Sequence, residues 1–116
     1  MDSETTIQQL KQKVEEFVQE RNWAEFHDPK NLSMALAIEA SELMELFQWK
    51  TNHKSIVAMN REGISNAARD ELADIITYAF AFANRNNIDI TSAVNQKIIK
   101  NRDKYPVDKW KWQTTK

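Results

Sequence analysis

EASELMELFQWK, residues 39–50, sets three glutamates (Glu39, Glu42 and Glu45) among Leu, Met, Phe and Trp, in a stretch otherwise suited to burial. On a helical wheel with Leu36 as origin, Leu32, Leu43 and Phe47 fall within about 40° and form an apolar stripe. Glu39 falls at about 300° and Glu42 at about 240°, on the flank of that stripe, whereas Glu45 lies at about 180°, on the far side. The segment predicts an amphipathic helix with two carboxylates at the edge of its buried face and a third directed away.

A second stretch, ARDELADIITYAF (residues 68–80), repeats the arrangement. With Ile75 as origin, Ile64 and Phe82 lie at about 340°, Glu71 at about 320°, Tyr78 at about 300° and Asp74 at about 260°. Residues three apart on a helix have Cβ atoms about 5–6 Å apart, so each acidic pair converges on a small region. Packing the two stripes together would gather four carboxylates. Unpaired at a core edge, they would cost on the order of several kcal/mol each in desolvation and repulsion. Arg69, at about 120°, and Lys50, at a helix end, are poorly placed to neutralise them. A divalent cation is the economical counter-charge, and an all-oxygen donor set favours Mg²⁺ or Mn²⁺. The metal ligands predicted from this spacing are Glu39, Glu42, Glu71 and Asp74.

The rest of the composition agrees with an all-α chain. There are 116 residues, one glycine and two prolines, too few punctuators for an all-β fold. The length suits a single domain. With 16 basic and 17 acidic residues the formal net charge is −1, so no global field attracts nucleic acid or an anionic membrane, and an anionic ligand must be held locally. The chain has no cysteine, which excludes a disulfide framework and a thiolate nucleophile. No apolar run approaches the roughly 20 residues that span a bilayer, and the N-terminus lacks a signal-peptide core. The expectation is a cytoplasmic protein.

Hydrophobic spacing predicts helices over about residues 6–22, 32–50, 61–85 and 90–105. Thr5 or Thr6, Asn31 or Ser33, and Asp89 are the expected caps of the first, second and fourth. WAEFHDPKN (23–31) reads as an ordered aromatic loop, because Pro29 disfavours helix at the residue before it. Residues 51–60 read as a connection with one helical turn, and 107–116 as a C-terminal tail. Met34 and Ile38 lie on the back of the second helix beside Trp49, and a four-helix chain of this size does not readily bury both faces. A homo-oligomer is therefore expected, with sites near or across the interface.

E39-A-S-E42 followed by E71-L-A-D74 resembles the ExxE…ExxD signature of the MazG-like all-α nucleoside triphosphate pyrophosphohydrolases, here with 28 residues between Glu42 and Glu71. RNWAEFHDPKNL, ELFQWK and KIIKNRDKYP look like the corresponding segments of the dCTP pyrophosphatases in this group, so the likeness spans about residues 21–106. The chain resembles the compact MazG proteins of the kind carried on bacterial integron cassettes. The resemblance implies a four-helix MazG-like bundle, assembled as a dimer or a dimer of dimers. It also implies Mg²⁺-dependent hydrolysis between the α and β phosphates, with cytosine-type deoxynucleotides first among substrates, as nucleotide-pool house-cleaning. One glutamate, Glu42 in preference to Glu39, would take the proton from the attacking water; the sequence alone does not separate ligand from base among the four acids.

By the same resemblance Trp23, His27 and Trp49 form part of the base and sugar pocket. Lys97, Asn101 and Lys104 match a K-x3-N-x2-[RK] pattern that contacts phosphates and nucleotide, with Lys104 where many relatives carry Arg. Tyr78, four residues after Asp74, is placed beside the acidic cluster. Each aromatic has a simpler role in core filling. KWKW (109–112) alternates base and aromatic as single-strand binders do, yet no wider basic patch accompanies it, and a docking tail is the better reading. A di-iron bundle needs Glu-x-x-His pairs, which neither His27 nor His53 supplies. The remaining rival is a non-catalytic helical oligomerisation module whose acids are surface.

Overall fold

Local chemistry sets each helix boundary in the computed structural model, which describes residues 1–110. Helix α1 (Ile7–Glu20) opens with a capping box. The Gln9 N–H donates to Thr6 Oγ1 at 3.1 Å, and the Thr6 N–H donates to Gln9 Oε1 at 2.8 Å. It closes with Asn22 in the left-handed region at φ 55°, the Trp23 N–H reaching back to Val18 O and the Asn22 N–H to Gln19 O, both at 3.1 Å. That Schellman-type ending satisfies two orphan carbonyls and fixes where Trp23 leaves the helix. A single 3₁₀ turn, Ala24–Phe26, follows.

Helix α2 (Pro29–Glu45) starts and stops earlier than its periodicity predicts. Pro29 breaks helix only before itself; at the first helical position its missing N–H is one that would be unpaired anyway. Asp28 is therefore the cap, accepting the Asn31 N–H at 2.8 Å, in place of the expected Asn31 or Ser33. Asn31 instead staples the loop, donating to Phe26 O and Asp28 Oδ2, each at 3.1 Å. At the far end the N–H groups of Leu46 and Phe47 bond i−3 carbonyls, which tightens the chain and takes Trp49 and Lys50 out of the helix.

The connection holds a short helix, α3 (Asn52–Ala58), capped by Thr51. Helix α4 (Glu62–Arg85) matches expectation within a residue and ends as α1 does, with Asn87 at φ 55° and the Ile88 N–H on Ala83 O at 2.9 Å. Asp89 caps α5 (Ile90–Lys104) by accepting the Ser92 N–H at 2.9 Å. The expected tail begins with a further short helix, α6 (Val107–Trp110); Lys111 and Trp112 of the KWKW stretch lie outside the described residues. The described residues contain no strand.

Helix α4 is the centre of the fold, packing most extensively on α2 and next on α1. The buried core is small: Leu32 from α2, Val18 from α1, Ala68, Phe80, Ala81 and Ala83 from α4, and Ala58 from α3. Alanines on α4 let the helices approach closely. Asn84 Nδ2 donates to Lys11 O at 2.9 Å and Lys11 Nζ to Ile88 O at 2.9 Å, tying α1 to the end of α4. Helix α5 touches the rest sparsely and leaves Val94, Ile98 and Ile99 exposed. The radius of gyration, 17.6 Å, exceeds the roughly 13 Å of a compact domain of this length.

Leu32, 1% exposed, is the most deeply enclosed large side chain of the described residues. Leu32→Ala is expected to lower unfolding free energy by about 2–5 kcal/mol in urea titrations, because the α2–α4 seam cannot close over the lost volume.

Candidate functional site

The α2–α4 packing brings the two acidic pairs together. One carboxylate oxygen from each of Glu39, Glu42 and Glu71 lies within 4.8 Å of the others. Asp74, a turn beyond Glu71, acts electrostatically on both Glu39 and Glu71. Glu45 is exposed and apart from the cluster, as its wheel position predicts. Among the described residues no Lys or Arg pairs with any of the four acids; the ion pairs present are Arg21 with Glu20 and the N-terminus with Glu4.

Glu39 Oε2 and Glu71 Oε2 are both buried with no hydrogen-bond partner. Orphaned buried oxygens are rare in folded proteins because each forfeits its hydration. The Glu39 carboxyl is pushed up to about 7, first by the neighbouring Glu71 carboxyl, then by burial, then by Glu42 and Asp74. For Glu71 the contact with Glu39 works downward, but burial and the Glu42 and Asp74 carboxylates outweigh it and leave its pKa raised. In both half-buried carboxyls the charged form is thus disfavoured, a cost that a cation between them would relieve.

The donor set fits a hard divalent ion. Glu39, Glu42 and Glu71 would hold such an ion, which would supply the positive charge that these carboxylates lack. All donors are oxygen, with no sulfur or imidazole to favour a softer metal.

Beside the cluster runs a cleft of about 470 Å³ between α1, the Trp23–His27 loop and α4. Phe17, Trp23, His27, Thr77 and Tyr78 line it, and Asp74 of the cluster forms part of the same wall. The Phe17 and Trp23 rings meet edge to face, 5.5 Å between centroids and 76° between planes, and the Arg21 guanidinium covers Phe17 at 3.8 Å. This stack holds Trp23 as a rigid wall. Burial first, and the Arg85 charge second, lower the His27 pKa against the opposing pull of Glu15, which favours the neutral ring.

Of the residues singled out in the sequence, Trp23, His27 and Tyr78 meet Asp74 on this cleft. Trp49 does not; it is 90% exposed beyond the end of α2. Lys97, Asn101 and Lys104 lie on α5, which packs sparsely on the rest of the chain; the Lys104 ammonium sits over the Tyr105 ring at 5.3 Å. Phe17 and Thr77 were not anticipated. Phe17 belongs to the apolar stripe of α1 and reads as core, whereas Thr77 follows Asp74 by three residues, a spacing that puts it on the same face.

The raised Glu39 pKa sets the sign of a pH effect. The native state binds this proton more tightly than the unfolded chain, so its stabilising contribution is present below about pH 4.5 and is lost as pH rises to about 7. In metal-free buffer, melting-temperature profiles of wild type and Glu39→Gln are expected to diverge over this window, with the variant gaining relative stability as pH increases. Parallel profiles would contradict the clustered geometry.

Residues 34–115 match the MazG-like family. The chain is 38% identical over 104 residues to dCTP pyrophosphatase 1 of Rattus norvegicus, covering 90% of this chain and 61% of that protein. It is 39% identical over 103 residues to dCTP pyrophosphatase 1 of Homo sapiens, covering 89% and 61%. The chain thus spans about three fifths of the length of these relatives. A pyrophosphatase from Archaeoglobus fulgidus, known from its crystal structure, superposes with a TM-score of 0.80 at 32% identity, covering 86% of this chain and 92% of that one. The ExxE and ExxD pairs packed against each other on two helices, together with these likenesses, identify the chain as a member of the MazG-like family.

Proposed function

We propose that this chain hydrolyses a nucleoside triphosphate, of cytosine deoxynucleotide type, to the monophosphate and pyrophosphate, with Mg²⁺ held by Glu39, Glu42, Glu71 and Asp74. The observation that carries this reading is the pair of buried, partnerless oxygens on Glu39 and Glu71, in an acidic cluster that shares Asp74 with an aromatic cleft. The names of the rat and human relatives support the substrate class.

When bound, the cation supplies positive charge to the phosphates and lowers the pKa of a water. The protein's own groups do the rest. Trp23, braced by Phe17, stacks on the base, neutral His27 offers a hydrogen bond at its rim, and Tyr78 reaches the sugar end of the cleft. Glu42 takes the proton of the attacking water, with Glu39 the other candidate. A water oxygen bonds to the α phosphorus, the bond from that phosphorus to the oxygen bridging toward the β phosphorus breaks, and pyrophosphate leaves. Positioning and charge neutralisation supply most of the acceleration in such transfers.

Trp49, Lys97, Asn101 and Lys104 enter the site from a second copy of the chain. Exposed Val94, Ile98 and Ile99 on α5, with the small core and extended dimensions of one chain, support a homo-oligomer, a dimer or a pair of dimers. The nucleotide substrate class makes house-cleaning of the cytoplasmic nucleotide pool the role proposed; no helix of the described residues is long and apolar enough to cross a membrane.

With dCTP and Mg²⁺, dCMP and pyrophosphate are expected in equal amounts; release of orthophosphate would overturn the reaction assigned. Glu42→Gln is expected to lower kcat by about 10²–10⁴-fold. Mg²⁺ should raise the melting temperature of wild type at pH 8 and much less that of Glu71→Gln. An indifferent wild type would favour the non-catalytic oligomerisation module.

A further inference from the structure

The aromatic cleft does not end at His27. Val18, His27 and Ala81 form a wall shared with a second, more polar cavity of about 250 Å³. Its far side carries Glu15 from α1 and Asn84, Arg85 and Asn87 from the end of α4. These charged and amide groups have no part in the hydrolytic step described above.

Their order along α4 is informative. Asp74, Tyr78, Ala81 and Arg85 are spaced four, three and four residues apart and share one face of the helix. At 1.5 Å per residue, Ala81 lies about 10 Å along the axis from Asp74, and Arg85 about 6 Å further. A nucleotide with its phosphates at Asp74 and its sugar beside Tyr78 therefore has its base between Trp23 and Ala81. The base's polar edge then faces the annex beyond His27.

The annex presents one acceptor and one donor of opposite charge. Glu15 is half-buried and lines the cavity; its Oε1 accepts a hydrogen bond from Gln19 Nε2 at 2.7 Å, which holds the carboxylate. Arg85 stands opposite, in the last turn of α4, and the two do not form an ion pair. Both act on His27, in opposite senses, so both face the shared wall. The Asn84 bond to Lys11 O keeps α1 and α4 in register at this point.

Resting on the nucleotide reading above, we propose that Glu15 and Arg85 determine base specificity, Glu15 accepting from an exocyclic amino group and Arg85 donating to a ring carbonyl. A carboxylate only accepts and a guanidinium only donates. Cytosine carries an amino group and a carbonyl on one edge and suits both residues; guanine's pairing edge carries the same two groups, so the pair of residues discriminates against uracil, thymine and adenine. Uracil and thymine place a carbonyl against Glu15 and are repelled, and adenine has no carbonyl for Arg85.

The test uses Glu15→Gln, which keeps the size and the acceptor for Gln19 but adds a donor, with Glu15→Ala as a second variant. Binding of dCMP and of dUMP is read through quenching of tryptophan fluorescence, so that it does not depend on turnover, and kcat/KM for dCTP and dUTP is read by pyrophosphate release. The preference of wild type for the cytosine nucleotide is expected to fall by about 10–100-fold in Glu15→Gln, by loss on the cytosine side with dUMP binding kept or improved. Equal losses for both bases, an unchanged ratio, or a wild type that does not favour dCMP would each overturn the assignment. Base-selective binding without pyrophosphate release would instead count against the hydrolytic reading and leave this one standing.

Discussion

The seam between α2 and α4 is the constraint on which the rest depends. It is the most extensive helix–helix contact among the described residues, and the same approach presses Glu39, Glu42 and Glu71 into one small volume. Apolar burial drives the helices together while carboxylate repulsion and two desolvated oxygens oppose it. The conflict raises the Glu39 pKa, and shifted carboxyls of this kind cluster at functional sites. Separating the helices would relieve the acids and lose the core.

The two ends of the cleft are built differently, in line with what each has to do. The acids stand on long helices, where i,i+3 spacing sets their separation and the packing of α2 on α4 holds them in place. Trp23 and His27 stand on a loop, yet that loop is bound at both ends: the Schellman ending of α1 directs Trp23, and Asp28, Asn31 and Pro29 lock the start of α2. A loop held at both ends around a single 3₁₀ turn positions the aromatic wall.

Helix α5 shows what one chain leaves incomplete. Its cap and length are well determined, but its apolar residues find little partner surface within the chain, and Lys97, Asn101 and Lys104 stay away from the acids. A helix packed on one side only is a common consequence of a small core, and a second copy is the natural cover in this reading.

Much of this was legible in the residues. Periodicity located the four long helices, and the wheel separated Glu39 and Glu42 from Glu45, because side-chain direction on a helix follows from spacing alone. Capping chemistry marked Thr6 and Asp89 correctly, whereas Asp28 was passed over because a proline was read as a breaker when its place at a helix start made it an initiator. Trp49 counted as helical because a period does not reveal where i−3 bonds will tighten and end a helix. Composition, periodicity and spacing thus determined the all-α class, the helices and the two acidic pairs, since these are properties of neighbours along the chain. That Phe17, Glu15 and Arg85 gather around His27, and that two carboxylate oxygens are buried without partners, was decided only in the tertiary structure, because burial and convergence depend on residues far apart in sequence.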